Sequence, residues 1–291
     1  MATRLKDGVP FEALPLHPAI GMEIRGLDLR WELDAATVGE LRRLWGAHAV
    51  LLFRGQDLSE AEQFRVAGCF GPVADRVKPP VERRAWRADP ENRMQLITDR
   101  VDGEGRPLGS LGHGEMWFHT DKCYVERPHR ASLLYSVEIP SSGGHTKFAS
   151  LYGAFERIPA DLKKKLDGRR VLQVYDYGTT APADIETLRL DDLLHYWQPL
   201  FVTNPDSGKQ ALYVSRLMSL AIEGLDAAES RATIDRLADL TEVPDNIYEH
   251  VWRVGDLVMW DNLGCVHART DWPAGETRTL RRCTVQGERL Y

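Results

Sequence analysis

Short β-competent segments separated by turn residues fill the second half of the chain, and they constrain the fold more than any other feature. The candidate strands are Ala131–Val137, Ala211–Val214, Tyr248–Arg253, Leu257–Trp260 and Thr277–Gln286. Helical patterns lie among them only irregularly, so the βαβα rhythm of a parallel sheet is missing. The pattern predicts an antiparallel sandwich or barrel with a few helices.

The first 70 residues carry clear boundary signals. Asp34 has the position of a helix N-cap, and a helical spacing of apolar residues follows it. Ser59 and Glu62 form the pattern of a capping box, which predicts a second helix ending near Phe70. Between these helices, the apolar run Val50–Phe53 is typical of a buried strand.

Two long segments, 74–114 and 175–199, are rich in proline, glycine and charged residues. Loops of this length in a compact domain are usually functional, so both are predicted to be mobile lids, the first with a strand near Met94–Thr98. Further along, Asp226–Leu240 is predicted to be a helix, and the turn at Val254–Asp256 is predicted to join two strands as a hairpin.

Composition excludes several classes of protein. With 291 residues, 43% of them hydrophobic, the chain is expected to form a single domain, 1–291. A net charge of −6 gives no reason to expect nucleic acid as a partner. The four cysteines are widely spaced, which argues against a zinc knuckle or a disulfide framework. No apolar run suits a signal peptide or a membrane span, so a cytoplasmic protein is expected, with a homo-oligomer left open.

The motif WFHTDKCY at 117–124 offers a candidate metal site. In a strand, His119 and Asp121 would point to the same face, and an imidazole beside a carboxylate supplies two ligands of a facial triad for Fe(II). His267, which follows the segment VGDLVMWDN, is the candidate third ligand. Taken alone, the pair also fits a surface histidine and an aspartate in a turn, and His267 also fits a buried structural histidine.

Two arginines follow the candidate third ligand. Arg278 and Arg282 are four residues apart and would share one face of a strand, whereas Arg281 would face the other way. A guanidinium group suits a carboxylate because it can bind two oxygens at once. An exposed edge strand with ordinary surface arginines is the alternative. Thr146, at the end of a Gly143-Gly144 turn, offers a hydroxyl group. A turn followed by threonine is common, so by itself it does not predict a binding site.

In their order along the chain, these motifs resemble the taurine dioxygenase and 2,4-dichlorophenoxyacetate dioxygenase family, and the likeness covers nearly the whole sequence. It is carried by the segments GMEIRGLDL, VLLFRG, FGP, WFHTD, IPSSGGHT, ALYVS, WDNLGCVHA and RTLRR. The resemblance implies a mainly β fold with flanking helices, a double-stranded β-helix or cupin-like jelly roll. It also implies Fe(II) as cofactor, with 2-oxoglutarate and O2 as co-substrates.

The resemblance also assigns roles to residues. It implies that His119, Asp121 and His267 hold the iron, and that Thr146 and Arg278 bind the side carboxylate of 2-oxoglutarate. Arg282 would lie near the metal-bound carboxylate and near the anionic group of the substrate. The expected reaction is the hydroxylation or oxidative cleavage of a small organic acid, with release of succinate and CO2. Because Asp121 is present, halogenation is disfavoured.

The flanking residues Glu115 and Lys122 stand where this family tends to face its primary substrate, so both are substrate candidates. The sequence departs from the family pattern at His145, where aspartate is frequent, and at Ser215, where asparagine is frequent. Two other functions stay open. A Zn(II) hydrolase or lyase would use the same three ligands but not the arginines, and a non-catalytic jelly-roll binding protein would need none of them.

Overall fold

The computed structural model describes residues 8–75, 94–110, 112–175 and 189–291. Within these ranges the strands are β1 (Glu12–Pro15), β2 (Met22–Arg25), β3 (Val50–Phe53), β4 (Gln95–Thr98), β5 (Met116–His119), β6 (Ala131–Glu138), β7 (Thr146–Ser150), β8 (Arg170–Tyr175), β9 (Leu194–Pro199), β10 (Phe201–Thr203), β11 (Gln210–Leu212), β12 (Ser219–Ile222), β13 (Ile247–His250), β14 (Leu257–Asp261), β15 (Cys265–Arg269) and β16 (Thr279–Val285). The helices are α1 (Ala35–His48), α2 (Glu60–Gly68), α3 (Leu151–Arg157), α4 (Ala160–Leu166) and α5 (Ala227–Thr241).

Two antiparallel sheets form the frame of the molecule. A seven-stranded sheet has the order β1-β2-β3-β14-β6-β16-β4, and a four-stranded sheet has the order β13-β7-β15-β5. All the strand pairs are antiparallel except that of β2 with β3. The prediction of a mainly β, jelly-roll fold with flanking helices is confirmed.

Strand β3 shows why the large sheet has apolar residues on both faces. Val50 and Leu52 pack toward the four-stranded sheet, in a cluster with Phe148 and Val266. Leu51 and Phe53 point the other way, into a cluster with Trp45 and other residues of α1 and α2. Because successive side chains of a strand point to opposite faces, a strand buried on both sides needs an unbroken apolar run.

The helices begin where the sequence predicts capping hydrogen bonds. Asp34 accepts a hydrogen bond from the backbone of Thr37 at the start of α1. The capping box of α2 is complete, because Ser59 and Glu62 each bind the other's backbone. The predicted helix near 226–240 is α5, with Asp226 as its N-cap. These predictions are confirmed.

Two predictions about connections are wrong. Strands β13 and β14 do not form a hairpin, since β13 pairs with β7 and β14 pairs with β3 and β6. The turn at 254–256 therefore carries the chain from one sheet to the other, and turn residues alone do not specify which sheet a strand joins. The prediction of a loop through 175–199 is also wrong at its end, because β9 is a regular strand paired with β8. The parts 76–93 and 176–188 of the two predicted lids lie outside the described residues.

The described part of the first lid segment is also anchored. β4 pairs with β16 along its full length, from Thr98 opposite Thr279 to Gln95 opposite Arg282. The strand predicted near Met94–Thr98 is therefore confirmed, and it belongs to the large sheet. No helix in the described ranges combines the length and apolar character needed to span a bilayer.

Candidate metal centre and co-substrate cavity

Strands β5 and β15 bring two histidines together at the inner face of the smaller sheet. His119 is the last residue of β5, and it pairs directly with His267 in the middle of β15. Their rings lie 4.1 Å apart, centroid to centroid. His267 does not end a strand, because β15 continues to Arg269. It is instead fixed by strand pairing on both sides, with β5 and with β7.

Asp121 completes a cluster of three potential metal ligands. It lies in the turn after β5, so the strand parity expected for His119 and Asp121 does not apply, but the turn still brings the carboxylate back to the histidines. Ligand atoms of His119, Asp121 and His267 all lie within 4.8 Å of one another, and all three residues are buried. Asp121 Oδ1 is 3.9 Å from His267 Nε2.

The protonation states of the cluster suit metal binding. Burial lowers the pKa of His119, and it lowers the pKa of His267 well below its usual value, so both imidazoles are neutral near pH 7. Burial alone would raise the pKa of Asp121, but the charge of Arg282 and the hydrogen bond from Ser132 hold it below its usual range. Two neutral imidazoles and an ionised carboxylate are the forms that coordinate a divalent metal.

The imidazole rings are held in different ways. Nδ1 of His119 lies 2.9 Å from the carbonyl oxygen of Trp117, so this nitrogen donates to the backbone and leaves Nε2 for a metal. Nδ1 of His267 is buried without a hydrogen-bond partner among the described residues. The His267 ring is held by packing, with the Trp260 ring 4.7 Å away and the Phe148 ring 6.5 Å away.

A chain of hydrogen bonds orients the carboxylate. Trp260 Nε1 donates to Asn262 Oδ1 over 2.9 Å, and Asn262 Nδ2 donates to Ser132 Oγ over 3.3 Å. Ser132 Oγ in turn donates to Asp121 Oδ2 over 2.5 Å. On the other side, Arg282 Nη2 lies 2.6 Å from Asp121 Oδ1. Both oxygens of the carboxylate are therefore fixed before any metal binds.

A cavity opens beside the two histidines. Its lining combines three guanidinium groups with a mostly apolar wall, from Ile97, Met116, His119, Leu134, Thr146, Trp260, His267, Ala268, Arg269, Arg278 and Arg282. The cavity thus unites five of the six residues predicted for the metal and for 2-oxoglutarate, and the sixth, Asp121, is paired with Arg282.

Arg278 is a charged group without a described counter-ion. Only 2% of it is exposed. Its Nε donates to the Gly144 carbonyl over 2.8 Å, and no carboxylate in the described ranges pairs with its side chain. Burial lowers its pKa to about 9, and the charge of Arg269 contributes to this. A desolvated guanidinium facing a cavity is a site for an anion.

The turn that carries Thr146 closes against this arginine. A Cβ atom on Gly144 would lie 2.9 Å from Arg278 Cδ, and Gly144 itself adopts a φ of +62°. Both the close approach and the left-handed backbone require glycine at this position. Arg278 and Arg282 do not share one face of a regular strand as predicted, because Arg278 precedes β16 and the register of β16 shifts between Thr279 and Leu280.

The two predicted substrate residues differ in burial. Lys122 is partly buried beside Asp121 in a left-handed conformation with φ 58°. Burial and the charge of Arg282 lower its pKa to about 8. Glu115 is exposed and is not part of the cavity lining.

The sequence interpretation missed two residues of the site. Ser132 gives no signal in the sequence, because its role depends on the β6–β14 register that places it opposite Trp260. Arg269 lines the cavity and donates to the Gly114 carbonyl through Nε (3.2 Å) and Nη2 (2.5 Å). Arg269 could have been predicted as a site residue from its position two residues after His267, on the same face of a strand.

Comparisons with known proteins agree with this geometry. The family model described as taurine catabolism dioxygenase TauD, TfdA family matches residues 12–284. An alpha-ketoglutarate-dependent 2,4-dichlorophenoxyacetate dioxygenase of Cupriavidus pinatubonensis is 31% identical over 94% of this chain and 96% of its own. An alpha-ketoglutarate-dependent sulfate ester dioxygenase of Pseudomonas putida is 31% identical over 94% of this chain and 90% of its own.

A solved structure shows the same likeness. A taurine dioxygenase from Burkholderia xenovorans superimposes with a TM-score of 0.79 and 26% sequence identity, over 97% of this chain and 91% of its own. The chain belongs to the TauD/TfdA family of dioxygenases. The resemblance predicted from the sequence is confirmed, and neither the zinc hydrolase nor the non-catalytic binding protein is favoured.

A first prediction concerns the hydrogen bond to the metal carboxylate. Ser132→Ala is expected to weaken Fe(II) binding about 10- to 100-fold, because the carboxylate loses a partner that orients it. Anaerobic metal titration measures this effect. Ser136→Ala is the matched control, since Ser136 is equally buried on the same strand but bonds to the Arg253 carbonyl instead. Equal metal affinity in the two variants would contradict a role for Ser132.

Proposed function

We propose that this chain is an Fe(II)- and 2-oxoglutarate-dependent dioxygenase that hydroxylates or oxidatively cleaves a small organic acid. The observation that carries the proposal is the presence, around one cavity, of a buried His-Asp-His cluster and a buried guanidinium group without a described counter-ion. When bound, Fe(II) with 2-oxoglutarate and O2 supplies the oxidising chemistry and yields succinate and CO2.

The residues present fit this group. His119, Asp121 and His267 would hold the iron, because they offer two neutral imidazoles and an ionised carboxylate in a buried position. Arg278 and Thr146 would bind the side carboxylate of 2-oxoglutarate, since both line the cavity next to His267. A zinc enzyme would leave the buried charge of Arg278 without a role.

Succinate formation tests the proposal directly. The purified protein with Fe(II), ascorbate and 2-oxoglutarate should release succinate, and His119→Ala, Asp121→Ala and His267→Ala should each abolish it. The expected reason is loss of a metal ligand, so circular dichroism should show that the variants keep their fold. Near-normal iron affinity and turnover in His267→Ala would remove His267 from the ligand set.

A second experiment addresses the co-substrate. Arg278→Ala should raise the 2-oxoglutarate requirement by a factor that corresponds to roughly 2–5 kcal/mol, as for a broken charge pair in a shielded site. The dependence of succinate formation on 2-oxoglutarate concentration gives this factor. Arg281→Ala is the control, because Arg281 lies only three residues further along, in β16, but stacks on Tyr135, 4.5 Å from the ring centre. An unchanged requirement in Arg278→Ala would exclude this arginine from the site.

We further propose that the substrate has an anionic head and an apolar body. Three arginines line the cavity, and its described lining includes no carboxylate. Arg282, which the resemblance places near the anionic group of the substrate, is already paired with Asp121. The positively charged lining nevertheless favours an anion, and the wall of Ile97, Met116, Leu134 and Trp260 favours an apolar body.

Neither Lys122 nor Glu115 is part of the cavity lining. Lys122 is partly buried and the charge of Arg282 acts on it, so it is proposed to assist with the anionic head. Glu115 is exposed and is left out of the proposal. Two relatives are named for an aryloxyacetate and for sulfate esters, which are anionic molecules with an apolar part. We also propose that residues 1–291 form one domain.

A third prediction tests the substrate class. Under anaerobic conditions, aryloxyacetates, alkyl sulfates and sulfonates should perturb the visible band of the Fe(II)–2-oxoglutarate complex, because they bind next to the metal. Neutral analogues of matched size should not perturb it. Perturbation by the neutral compounds alone would contradict the anionic head while leaving the dioxygenase proposal intact.

A further inference from the structure

The hydroxyl group of Thr146 lies within hydrogen-bond distance of the indole N–H of Trp252. Trp252 Nε1 lies 3.1 Å from Thr146 Oγ1, and both residues are buried. An indole N–H can only donate a hydrogen bond. Thr146 Oγ1 must therefore accept this bond, and its own hydrogen is left to be donated in another direction.

The hydrogen of the Thr146 hydroxyl group can point into the cavity. Thr146 lines the cavity together with Arg278 and His267. The bond from Trp252 is the one hydrogen bond that the Thr146 hydroxyl makes within the described residues. Its hydrogen is thus available to a ligand that accepts, and an ionised carboxylate is purely an acceptor. A hydroxyl that accepts one hydrogen bond is also a stronger donor in the next.

The Trp252 side chain is held so that its N–H keeps this direction. Its ring packs edge-to-face on His250, with centroids 4.5 Å apart and an interplanar angle of 88°. His250 Nε2 lies 3.1 Å from Asp256 Oδ2, and both side chains are fully buried. Asp256 Oδ2 also pairs with Arg54 Nη1 at 2.8 Å. The indole is therefore held by packing on His250, which lies beside the Asp256–Arg54 ion pair.

We propose that Trp252 is a positioning residue that makes the Thr146 hydroxyl a dedicated donor to the side carboxylate of 2-oxoglutarate. This inference rests on the proposed function. Trp252 itself does not line the cavity and touches no ligand there. Its contribution is to arrange the donor before the co-substrate binds, so that less freedom is lost on binding.

The test is a double-mutant cycle on co-substrate binding. Trp252→Phe keeps an aromatic ring but removes the N–H, and Thr146→Val removes the hydroxyl. The dissociation constant of 2-oxoglutarate is measured calorimetrically with the protein loaded with Mn(II) in the absence of O2, so the readout does not depend on turnover. Trp252→Phe should raise the constant about 3- to 10-fold, as for one neutral hydrogen bond. Thr146→Val should raise it roughly 10- to 100-fold, as for a bond to a charged group.

Non-additivity is the decisive result. In the Thr146→Val background, Trp252→Phe should have no further effect, because the group on which it acts is gone. With Fe(II), the KM for 2-oxoglutarate should rise in Trp252→Phe while kcat stays within about twofold. Trp45→Phe is the control, since Trp45 Nε1 is buried without a hydrogen-bond partner in the described part of the chain.

The outcomes separate this inference from the proposed function. If the Mn(II)-loaded wild-type protein does not bind 2-oxoglutarate, the proposed function fails. If the wild type binds but Trp252→Phe binds equally well, the role of Trp252 is wrong and the proposed function stands. An equal loss from Trp252→Phe in the presence and absence of the Thr146 hydroxyl would also overturn the inference, because the effect would not pass through Thr146.

Discussion

The pairing of β5 with β15 is the interaction on which the site depends. It sets His119 directly opposite His267, although the two are 148 positions apart in the sequence. Every other group of the site is placed relative to this pair. Asp121 follows β5 by one turn, Thr146 begins the strand on the other side of β15, and Arg278 reaches in from the segment before β16. A shift of one residue in this register would turn either histidine to the opposite face of the sheet.

The site also shows how a cavity can hold several charges. Asp121 stays ionised in a buried position because Arg282 and Ser132 bind its two oxygens. Arg278 has no comparable partner among the described residues, and its charge is retained at a cost in stability. Such an arrangement is unfavourable for the empty protein and favourable for a complex with a dianion, which is typical of a site built for binding.

The sequence predicted which residues meet at the cavity better than it predicted the contacts that hold them. His119, Asp121, His267, Thr146 and Arg278 were found because a family motif keeps them in a recognisable order. Ser132 and Trp252 were not found, since each acts through a hydrogen bond between segments that meet only in the folded sheets. The same limit explains the wrong hairpin at 254–256, because turn residues indicate a reversal of the chain but not the sheet that the next strand joins. The helix caps at Asp34 and Ser59 were correct because capping is local.

One feature of the smaller sheet bears on its dynamics. Among the strands that the structure describes, β5 is an edge strand of four residues whose one neighbour is β15. Edge strands with few partners open by local unfolding more readily than central ones. Because the metal ligands lie on β5, on the turn after it and on β15, a bound metal would link β5 to β15. Amide hydrogen exchange in β5 should therefore slow when metal binds, and the ion would hold the strand in place as well as support the chemistry.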